Sequence, residues 1–527
     1  MSKPEPEIYD LFVIGGGVNG CGIARDAAGR GLSVALAEMN DLASGTSSAS
    51  TKLFHGGLRY LEYFEVGLVR KALREREVLL RAMPHISWPM RFVLPVHKDM
   101  RFDNETPVSK VLGIVMPWMK GRRPAWLIRL GLFMYDNMGG RKILAGTRTL
   151  DLTKDAVGVP LHDKFVKAFE YSDCWVEDAR LVVLNARDAE ERGAKIMTRT
   201  KVVSADRVGD IWEITLADRR VFNARVLVNA GGPWVENIIR DTVRATTNDG
   251  VRLVRGSHIV TKKLFEHDKS YFFQGEDGRI IFAIPYETDF TLIGTTDADH
   301  ADADTTPVCT EAEADYLRKF ASGYFKRPIA ADDIVWSYAG VRSLYDDGAA
   351  SAAATTRDYV LSLDENGAPL LSVFGGKITT YRRLAEATME KLAPFFGAMD
   401  GDWTAGVALP GGDFPVDGAD DLIARLQREF GFLDAYWAQR LIKAYGTDAW
   451  LILENSVSVD DLGQVFGTSL TEREVAWLMD KEYAQTAQDV VWRRSKLGLR
   501  MSAAEITELD VWMRKVTARI SDENPRG

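Results

Sequence analysis

A glycine-rich turn near the amino terminus constrains the fold of this chain more than any other feature. An apolar run of strand length at residues 8–14 leads directly into a G-x-G-x-x-G motif at 15–20. A helical stretch at 21–30 follows, and Gly31 ends it because glycine tolerates the left-handed cap conformation. A second apolar run occupies 32–37. The pattern predicts a β-α-β unit.

The spacing of this motif predicts a dinucleotide site. Gly15 allows the tight turn, Gly17 lets the backbone approach a pyrophosphate, and Gly20 lets the helix pack closely on the strand. The amino terminus of the helix favours the anion. Glu38 ends the second strand, where it is placed to accept hydrogen bonds from the adenosine ribose. A glycine turn in some other α/β fold is the alternative, but here strand, helix and acid stand in register.

Further glycine turns favour one dinucleotide over another. Candidate strands run into glycines again at 229–232 and 374–376. Several loops of this kind are expected where a cofactor is buried along its length. Together with the position of the motif at the extreme amino terminus, they favour a retained FAD over an exchanging NAD.

Composition sets the broad class of protein. A chain of 527 residues is too long for one ordinary core, so two or three packing units are expected. Acidic residues outnumber basic ones by 75 to 66, which argues against a nucleic-acid partner. Three separated cysteines without a CxxC pair predict a reducing compartment. The amino terminus lacks a secretory signal pattern, so cytoplasmic residence is the default expectation.

Metal binding is not expected. The acidic run at 297–304 could be mistaken for a metal loop, but it lacks the glycine and the glutamate that a calcium loop requires. A solvated acidic turn is the better interpretation of this segment.

Several longer strings of residues are more specific than any single motif. They occupy 47–50, 52–62, 171–175, 256–258, 294–297, 374–377, 379–382 and 491–494. These strings closely resemble the FAD-dependent, aerobic-type glycerol-3-phosphate dehydrogenases of bacteria, and the similarity extends over nearly the whole chain. The resemblance implies a flavoprotein that oxidises sn-glycerol 3-phosphate to dihydroxyacetone phosphate and passes electrons to membrane quinone. It also suggests a homodimer.

The predicted substrate site is a cluster of cations. A phosphate monoester is recognised by several positive charges, with arginine giving two-point contacts and lysine a point charge. Arg59, Arg342 and Lys377 stand in glycine-flanked or turn-like surroundings, and we expect them to bind the substrate phosphate. By the resemblance, Tyr60 and His258 join them.

The reaction needs a base for the hydroxyl proton, and imidazole suits that role near neutral pH. His258 is the first choice. His55 is the second, because Gly56 and Gly57 would let the backbone approach the flavin closely, although a structural hydrogen bond that orients the loop is equally compatible with its position. Arg342 and Lys377 complete the predicted catalytic set. We expect Lys377, with the helix after it, to stabilise negative charge on the reduced flavin.

The predicted fold class is α/β plus α, with a glutathione-reductase-like FAD-binding domain, a sheet-based substrate domain and a wholly helical carboxy-terminal cap. The expected boundaries are 1–90, 170–255 and 337–399 for the FAD-binding domain, 91–169 for a membrane-associating insertion, 256–336 for the substrate domain and 400–527 for the cap. The predicted FAD-binding residues are Gly15, Gly17, Gly20, Glu38, Thr46, Ser47, Ser48, Ala230, Gly231, Gly376, Lys377 and Thr379.

One segment carries mainly basic charges, whereas the chain as a whole has a negative net charge. Residues 108–135 are rich in apolar and aromatic side chains, and an insertion at roughly 99–122 interrupts the family pattern. The charges before Tyr135 are all basic: Lys110, Lys120, Arg122, Arg123 and Arg129. This composition suits an anionic lipid surface, whereas Pro117 and Gly121 interrupt the segment too often for it to span. A buried hairpin is the alternative. The expected location is therefore peripheral, on the cytoplasmic face of the inner membrane.

Two other functions remain open from sequence alone. An amine or amino-acid oxidase of the same fold would bind a carboxylate through one arginine and would not need three cations. A flavin-containing RNA-modifying or scaffold protein is the other alternative, and the absence of a wide basic face weighs against it.

Overall fold

The computed structural model describes residues 7–97, 125–275, 278–346 and 358–523. Its strands are β1 (Ile8–Ile14), β2 (Val34–Ala37), β3 (Leu53–Phe54), β4 (Ser87–Val96), β5 (Arg148–Asp151), β6 (Lys167–Val176), β7 (Lys195–Met197), β8 (Val202–Val208), β9 (Ile211–Leu216), β10 (Val221–Asn229), β11 (Val251–Lys262), β12 (Ser270–Gln274), β13 (Ile280–Tyr286), β14 (Phe290–Gly294), β15 (Ala298–Asp299), β16 (Ile334–Tyr345), β17 (Val360–Asp364), β18 (Leu370–Phe374), β19 (Val465–Gly467) and β20 (Leu470–Thr471). Its longer helices are α1 (Val18–Gly29), α2 (Val66–Ala82), α3 (Ala125–Met138), α4 (Asp178–Glu191), α5 (Glu311–Ser322), α6 (Tyr381–Leu392), α7 (Ala419–Glu429), α8 (Ala435–Tyr445), α9 (Glu472–Lys481) and α10 (Ala503–Glu523).

The first sheet carries the glycine turns. Its parallel strands lie in the order β18-β10-β1-β2-β7, and the antiparallel strands β17, β8 and β9 extend it. Leu11, Phe12 and Val13 in β1 are fully buried, as expected for a parallel strand covered on both faces. Helices α1, α4 and α6 cover one face through a shared apolar core.

Strand register brings the turns to one edge. Ile14 pairs with Ala37 of β2 on one side and with Asn229 of β10 on the other. The carboxyl ends of three neighbouring parallel strands therefore meet, which is where open α/β sheets bind ligands.

The second sheet is mostly antiparallel. It runs β15-β11-β14-β13-β12-β4-β6-β3, with β16 paired along β11 and β5 along β6. All four internal boundaries predicted at its edges, 90/91, 169/170, 255/256 and 336/337, fall inside its strands β4, β6, β11 and β16. These strands belong to the second sheet along their whole length, so each predicted boundary divides a single strand.

The carboxy-terminal region has its own apolar core, built from α7 to α10 and the segments between them. The expectation that it is wholly helical is wrong in one place, because β19 and β20 form a short hairpin. Gly467 at the end of β19 has φ +148°, which a side chain would disfavour, so the tight reversal depends on this glycine.

A 3-10 turn precedes helix α2, which begins at Val66. The turn is formed by residues Leu58–Tyr63, and Phe64 follows in the left-handed conformation with φ +60°. This turn carries Arg59 and Tyr60 on a separate element rather than on the helix.

Candidate active site

The glycine turn has the geometry that close backbone packing requires. Gly15 has φ +112°, and a Cβ there would lie 2.5 Å from the carbonyl oxygen of Ala230. A Cβ on Gly20 would lie 1.9 Å from the Gly15 carbonyl oxygen. Gly17 caps α1 without a side-chain hydrogen bond of its own, and the N–H of Val18, the first residue of the helix, donates to Ser47 Oγ at 3.0 Å. The amino terminus of a helix favours an anion.

Glu38 lies beside this turn, at the end of β2. Its carboxylate accepts hydrogen bonds from the backbone N–H of Gly16 at 2.7 Å and of Asn40 at 2.7 Å. Burial raises the pKa of Glu38, and the two backbone N–H groups oppose that rise. The acid is thereby fixed at the edge of the cavity next to the helix amino terminus.

A cavity of about 630 Å³, which we call the main cavity, joins the glycine turn to the predicted substrate residues. Its volume lies within the range of roughly 300–1,000 Å³ that is common for small-molecule sites. The predicted residues that line it are Gly15, Gly17, Glu38, Thr46, Ser47, His55, Arg59, Tyr60, Ala230, Gly231, His258, Arg342, Gly376, Lys377 and Thr379. Two predicted cofactor residues do not line it. Gly20 packs the helix on the strand, and the Ser48 carbonyl instead accepts a hydrogen bond from the Lys52 ammonium.

Arg59 is the cation best prepared for an anionic ligand. Its Nε is buried and has no hydrogen-bond partner within the described parts of the chain. Its neighbour Tyr60 holds the ammonium of Lys377 over its ring, 4.1 Å from the centroid. A buried donor without a partner is costly, and a bound anion would remove that cost.

Arg342 is less free than its sequence context indicated. It lies within β16, not in a turn, and its Nη2 donates to the carbonyl of Thr296 at 2.9 Å and forms an ion pair with Asp297. Asp297, the first residue of the acidic run at 297–304, is thus the ion-pair partner of Arg342. Arg342 is oriented by these contacts and offers its remaining N–H groups to the main cavity.

His258 lies in β11 and is 2% exposed. Its Nε2 is 2.9 Å from Thr51 Oγ1, and its ring stacks on Tyr338 with centroids 4.7 Å apart. Nδ1 has no hydrogen-bond partner within the described residues. Burial, with the charges of Lys52 and Arg342, lowers the pKa of His258 to about 3, so the ring is neutral at physiological pH.

A hydrogen bond connects His55 to the segment that follows the third glycine turn. Its backbone N–H donates to Thr379 Oγ1 at 3.3 Å, which joins the loop after β3 to the segment before α6. The glycines beside His55 also make room for protein side chains. A Cβ on Gly57 would lie 2.2 Å from the Tyr60 ring, and one on Gly56 would lie 2.7 Å from Tyr135 Oη.

Sequence reasoning missed several residues of the site. Thr51 follows the predicted cofactor residues Thr46, Ser47 and Ser48, but no motif marks its hydrogen bond to His258, which is 207 residues away. Asn19 lies inside the glycine motif, and its amide donates to the carbonyl of Gly375 at 3.2 Å, which joins two of the turns. Arg279, directly before β13, and Phe282, within β13, also line the main cavity, and no sequence motif marks them.

Comparison with known proteins decides the family. The model of the FAD dependent oxidoreductase family matches residues 10–382, and that of the C-terminal domain of alpha-glycerophosphate oxidase matches residues 403–520. The chain belongs to the FAD-dependent oxidoreductase family. The predicted fold class and the predicted cofactor, FAD, are both confirmed.

Curated relatives lie in one branch of this family. The chain is 48% identical to the D-erythritol 1-phosphate dehydrogenase of Brucella abortus, over 96% of this chain and 98% of the relative. It is 47% identical to the glycerol-3-phosphate dehydrogenase of Pseudomonas aeruginosa, over 97% and 96%. It is 44% identical to the aerobic glycerol-3-phosphate dehydrogenase of Escherichia coli, over 97% and 98%. The predicted resemblance to the bacterial glycerol-3-phosphate dehydrogenases is therefore confirmed.

A solved structure extends the comparison. The X-ray structure of the glycerol-3-phosphate dehydrogenase from Bacillus halodurans, complexed with FAD, superposes with a TM-score of 0.71 at 26% identity and covers 98% of this chain and 91% of that one. The family's cofactor fits the residues present here: a glycine turn without room for side chains, a helix amino terminus that opens on the main cavity and a half-buried acid at the end of β2.

Proposed function

We propose that this flavoprotein oxidises sn-glycerol 3-phosphate to dihydroxyacetone phosphate and passes the electrons to membrane quinone. One observation carries the proposal. The side chains of Arg59, Arg342 and Lys377 line the same cavity as the neutral ring of His258, and the glycine turn lines that cavity too. The names of the relatives support the substrate class.

FAD, when bound, supplies the hydride acceptor. The chain's own residues do the rest. Arg59 donates to the phosphate, and Lys377 adds a point charge. Arg342, held by Thr296 and Asp297, fixes the orientation of the bound alcohol. His258 takes the hydroxyl proton at Nδ1, since its Nε2 is occupied by Thr51.

Burial and nearby positive charges lower the pKa of His258, so we expect the binding of an anionic substrate to change that pKa. With Lys52 and Arg342 nearby and no bound anion, the imidazole is a weak base. A phosphate dianion in the same cavity opposes those two charges and raises the proton affinity of the ring. The base is therefore activated when a phosphorylated substrate is in place.

A four-carbon polyol phosphate is a second candidate substrate, because the relative with 48% identity is named a D-erythritol 1-phosphate dehydrogenase. Anaerobic bleaching of the flavin by glycerol 3-phosphate and by D-erythritol 1-phosphate compares the two directly. We expect the higher kcat/KM with glycerol 3-phosphate, and a reversed order would favour the four-carbon substrate. Bleaching by D-amino acids would favour the oxidase alternative instead.

Helix α3 supports the proposed membrane contact. It is anchored inward, where Tyr135 Oη donates to Asp173 at 2.7 Å and Arg76 pairs with the same carboxylate at 2.6 Å. Its exposed apolar side chains are Trp126, Leu130, Phe133 and Met134. Within the described residues no helix is long and apolar enough to cross a bilayer. The predicted insertion at roughly 99–122 and the cations Lys110, Lys120, Arg122 and Arg123 lie outside the described residues.

Co-sedimentation with anionic vesicles tests this part. The double variant W126S/F133S is expected to lose most vesicle binding, because it removes exposed apolar area from α3. Charge reversal of Lys120, Arg122 and Arg123 is expected to weaken binding in a salt-dependent manner. The variant V457S, at an exposed valine of the carboxy-terminal domain, is the matched control. Unchanged binding of both test variants would refute a peripheral location on the inner membrane through this segment. The homodimer stays a prediction that analytical ultracentrifugation would test.

A further inference from the structure

The strand that carries His258, β11, is paired on both sides at the histidine itself. Gly294 of β14 is its partner on one side and Tyr338 of β16 on the other. A Cβ on Gly294 would lie 2.0 Å from His258 Cδ2, so the imidazole ring takes up the space of a side chain there. The ring of Tyr338 stacks on the imidazole, with centroids 4.7 Å apart and planes 11° apart. The position of the His258 ring therefore depends on that of Tyr338.

The stack of rings continues beyond Tyr338. Trp336 lies two residues earlier in β16, so the two side chains point to the same face of the sheet. Their ring centroids are 5.0 Å apart, with the planes at 36°. The ring of Trp492 stacks on Trp336, with centroids 4.4 Å apart and planes 14° apart. Trp492, Trp336, Tyr338 and His258 thus form a continuous series of ring contacts, which we call the aromatic column.

Trp492 belongs to the carboxy-terminal domain, in the short helical segment Asp489–Arg494. This segment is anchored next to the tryptophan. Arg494 donates to both carboxylate oxygens of Asp41 at 2.8 Å, and both side chains are at most 2% exposed. A Cβ on Gly498 would lie 2.6 Å from Trp492 Cζ2, so the tryptophan ring has no room for a side chain beside it. The first ring of the aromatic column is therefore held in a fixed place.

The carboxy-terminal domain also contacts the segment that leads into β14. Arg500 donates to Asp289 Oδ2 at 2.7 Å and to the carbonyl of Glu287. Both acceptors lie in the loop between β13 and β14. Among the described residues, none beyond Thr379 lines the main cavity. The domain thus reaches the site only through the elements on either side of β11.

A short turn fixes the edges of the last two rings of the aromatic column. Tyr338 Oη donates to the carbonyl of Ser50 at 2.8 Å, and Thr51 Oγ1 lies 2.9 Å from the imidazole Nε2. The turn itself is anchored by the buried ion pair of Lys52 with Asp178, at 2.6 Å. A hydrogen bond at the edge of a ring leaves the ring free to tilt about that edge, whereas contact with the face of a neighbouring ring restricts the tilt. The turn and the column therefore have different effects on the histidine.

We propose that Trp492 is a positioning residue for the base: through the aromatic column it sets the tilt of the His258 ring and so the direction of Nδ1. This inference rests on the proposed alcohol oxidation, in which Nδ1 takes the hydroxyl proton. Nδ1 has no hydrogen-bond partner within the described residues, so the position of the ring determines where it points. A change of tilt moves Nδ1 out of line with the O–H bond and slows proton transfer. The phosphate contacts of Arg59 and Lys377 stay as they are.

Anaerobic stopped-flow bleaching of the flavin by glycerol 3-phosphate, in H2O and in D2O, tests this role. In W492L we expect the bleaching rate at saturating substrate to fall on the order of tenfold, while the dissociation constant of the substrate stays within about twofold. The solvent isotope effect on bleaching should rise, because transfer of the hydroxyl proton limits the rate more strongly. W492F keeps a ring on Trp336 and should restore most of the rate. W512L is the matched control, since Trp512 is also half-buried in this domain but its ring contacts Phe466.

G498A is a second, milder variant, because its Cβ displaces the Trp492 ring and removes no side chain. We expect it to bleach more slowly than the wild type, with a larger solvent isotope effect. Bleaching within about twofold of the wild-type rate in both W492L and G498A would overturn the positioning role alone. An equal loss in W492L, W492F and W512L would also overturn it, because a weakened domain would then account for the effect.

A wild type that glycerol 3-phosphate does not bleach would overturn the proposed oxidation instead. The crystal structure of W492L tests the aromatic column without any substrate. A His258 ring that is tilted relative to the wild type supports the proposal, and a ring in the wild-type position refutes it.

Discussion

Substitution of Arg59 by methionine removes one of the three cations that we expect to bind the substrate phosphate. The buried Nε of Arg59 has no hydrogen-bond partner within the described residues, and its guanidinium lines the main cavity. A bidentate contact to phosphate provides two charge-assisted hydrogen bonds at about 1.5–3 kcal/mol each. Because Lys377 and Arg342 remain, we take the lower end of the sum. The expected loss of about 3 kcal/mol is on the order of a hundredfold in kcat/KM for glycerol 3-phosphate.

Stability should change in the opposite direction from activity. Removal of a buried donor without a partner relieves a desolvation cost, so R59M should unfold at the same temperature as the wild type or higher. Steady-state dye reduction gives kcat/KM, absorbance at 450 nm gives FAD content, and thermal unfolding gives Tm. R70M, at an exposed arginine of α2, is the matched control.

Two results would refute the reasoning. One is a kcat/KM for glycerol 3-phosphate within twofold of the wild type in R59M. The other is an equal loss with unphosphorylated glycerol, because that would assign Arg59 to general positioning and not to the phosphate.

Further predictions concern the base, the flavin environment and acid stability. H258N should retain FAD but lose about 10²–10⁴ in kcat, as expected for a lost general base, and a kcat near that of the wild type would remove His258 from that role. G294A should lower kcat with normal FAD content, because its Cβ would lie 2.0 Å from His258 Cδ2; a normal kcat would show that the ring position is not critical. K377M should lower the flavin reduction potential, and an unchanged potential with weaker substrate affinity would assign Lys377 to phosphate binding alone. His85 is buried, with its pKa lowered to about 3 by burial and by Arg180 and Arg187, so the unfolded state binds a proton first as pH falls. As the pH falls from 6.5 to about 3, the free energy of unfolding should therefore decrease by up to about 1.4 kcal/mol per pH unit through this histidine, and denaturant unfolding of H85L should show a shallower acid dependence.

Local patterns predicted local structure well. The β-α-β unit, Gly15 and Glu38 all lie within 31 consecutive residues, 8–38, so the motif and the two apolar runs were sufficient to place them. The short hairpin of β19 and β20 was not predicted, because two strands of three and two residues leave almost no periodic signal.

Contacts between distant parts of the chain could not be predicted in this way. The ion pair of Arg342 was not predicted, because its partner Asp297 lies on a different segment, 45 residues earlier. The Lys52–Asp178 pair joins residues 126 apart and carries no motif. The predicted domain boundaries at 255/256 and 336/337 lie within β11 and β16, which pair with each other as continuous strands. Long-range pairing of charges and strands depends on the folded topology, which spacing in the sequence does not contain.

The most direct test of the account is the flavin spectrum of the purified protein under anaerobic conditions. The cationic cavity predicts that the yellow colour is bleached rapidly by glycerol 3-phosphate and far more slowly by glycerol at the same concentration. A colourless protein, or equal bleaching by the two alcohols, would contradict it.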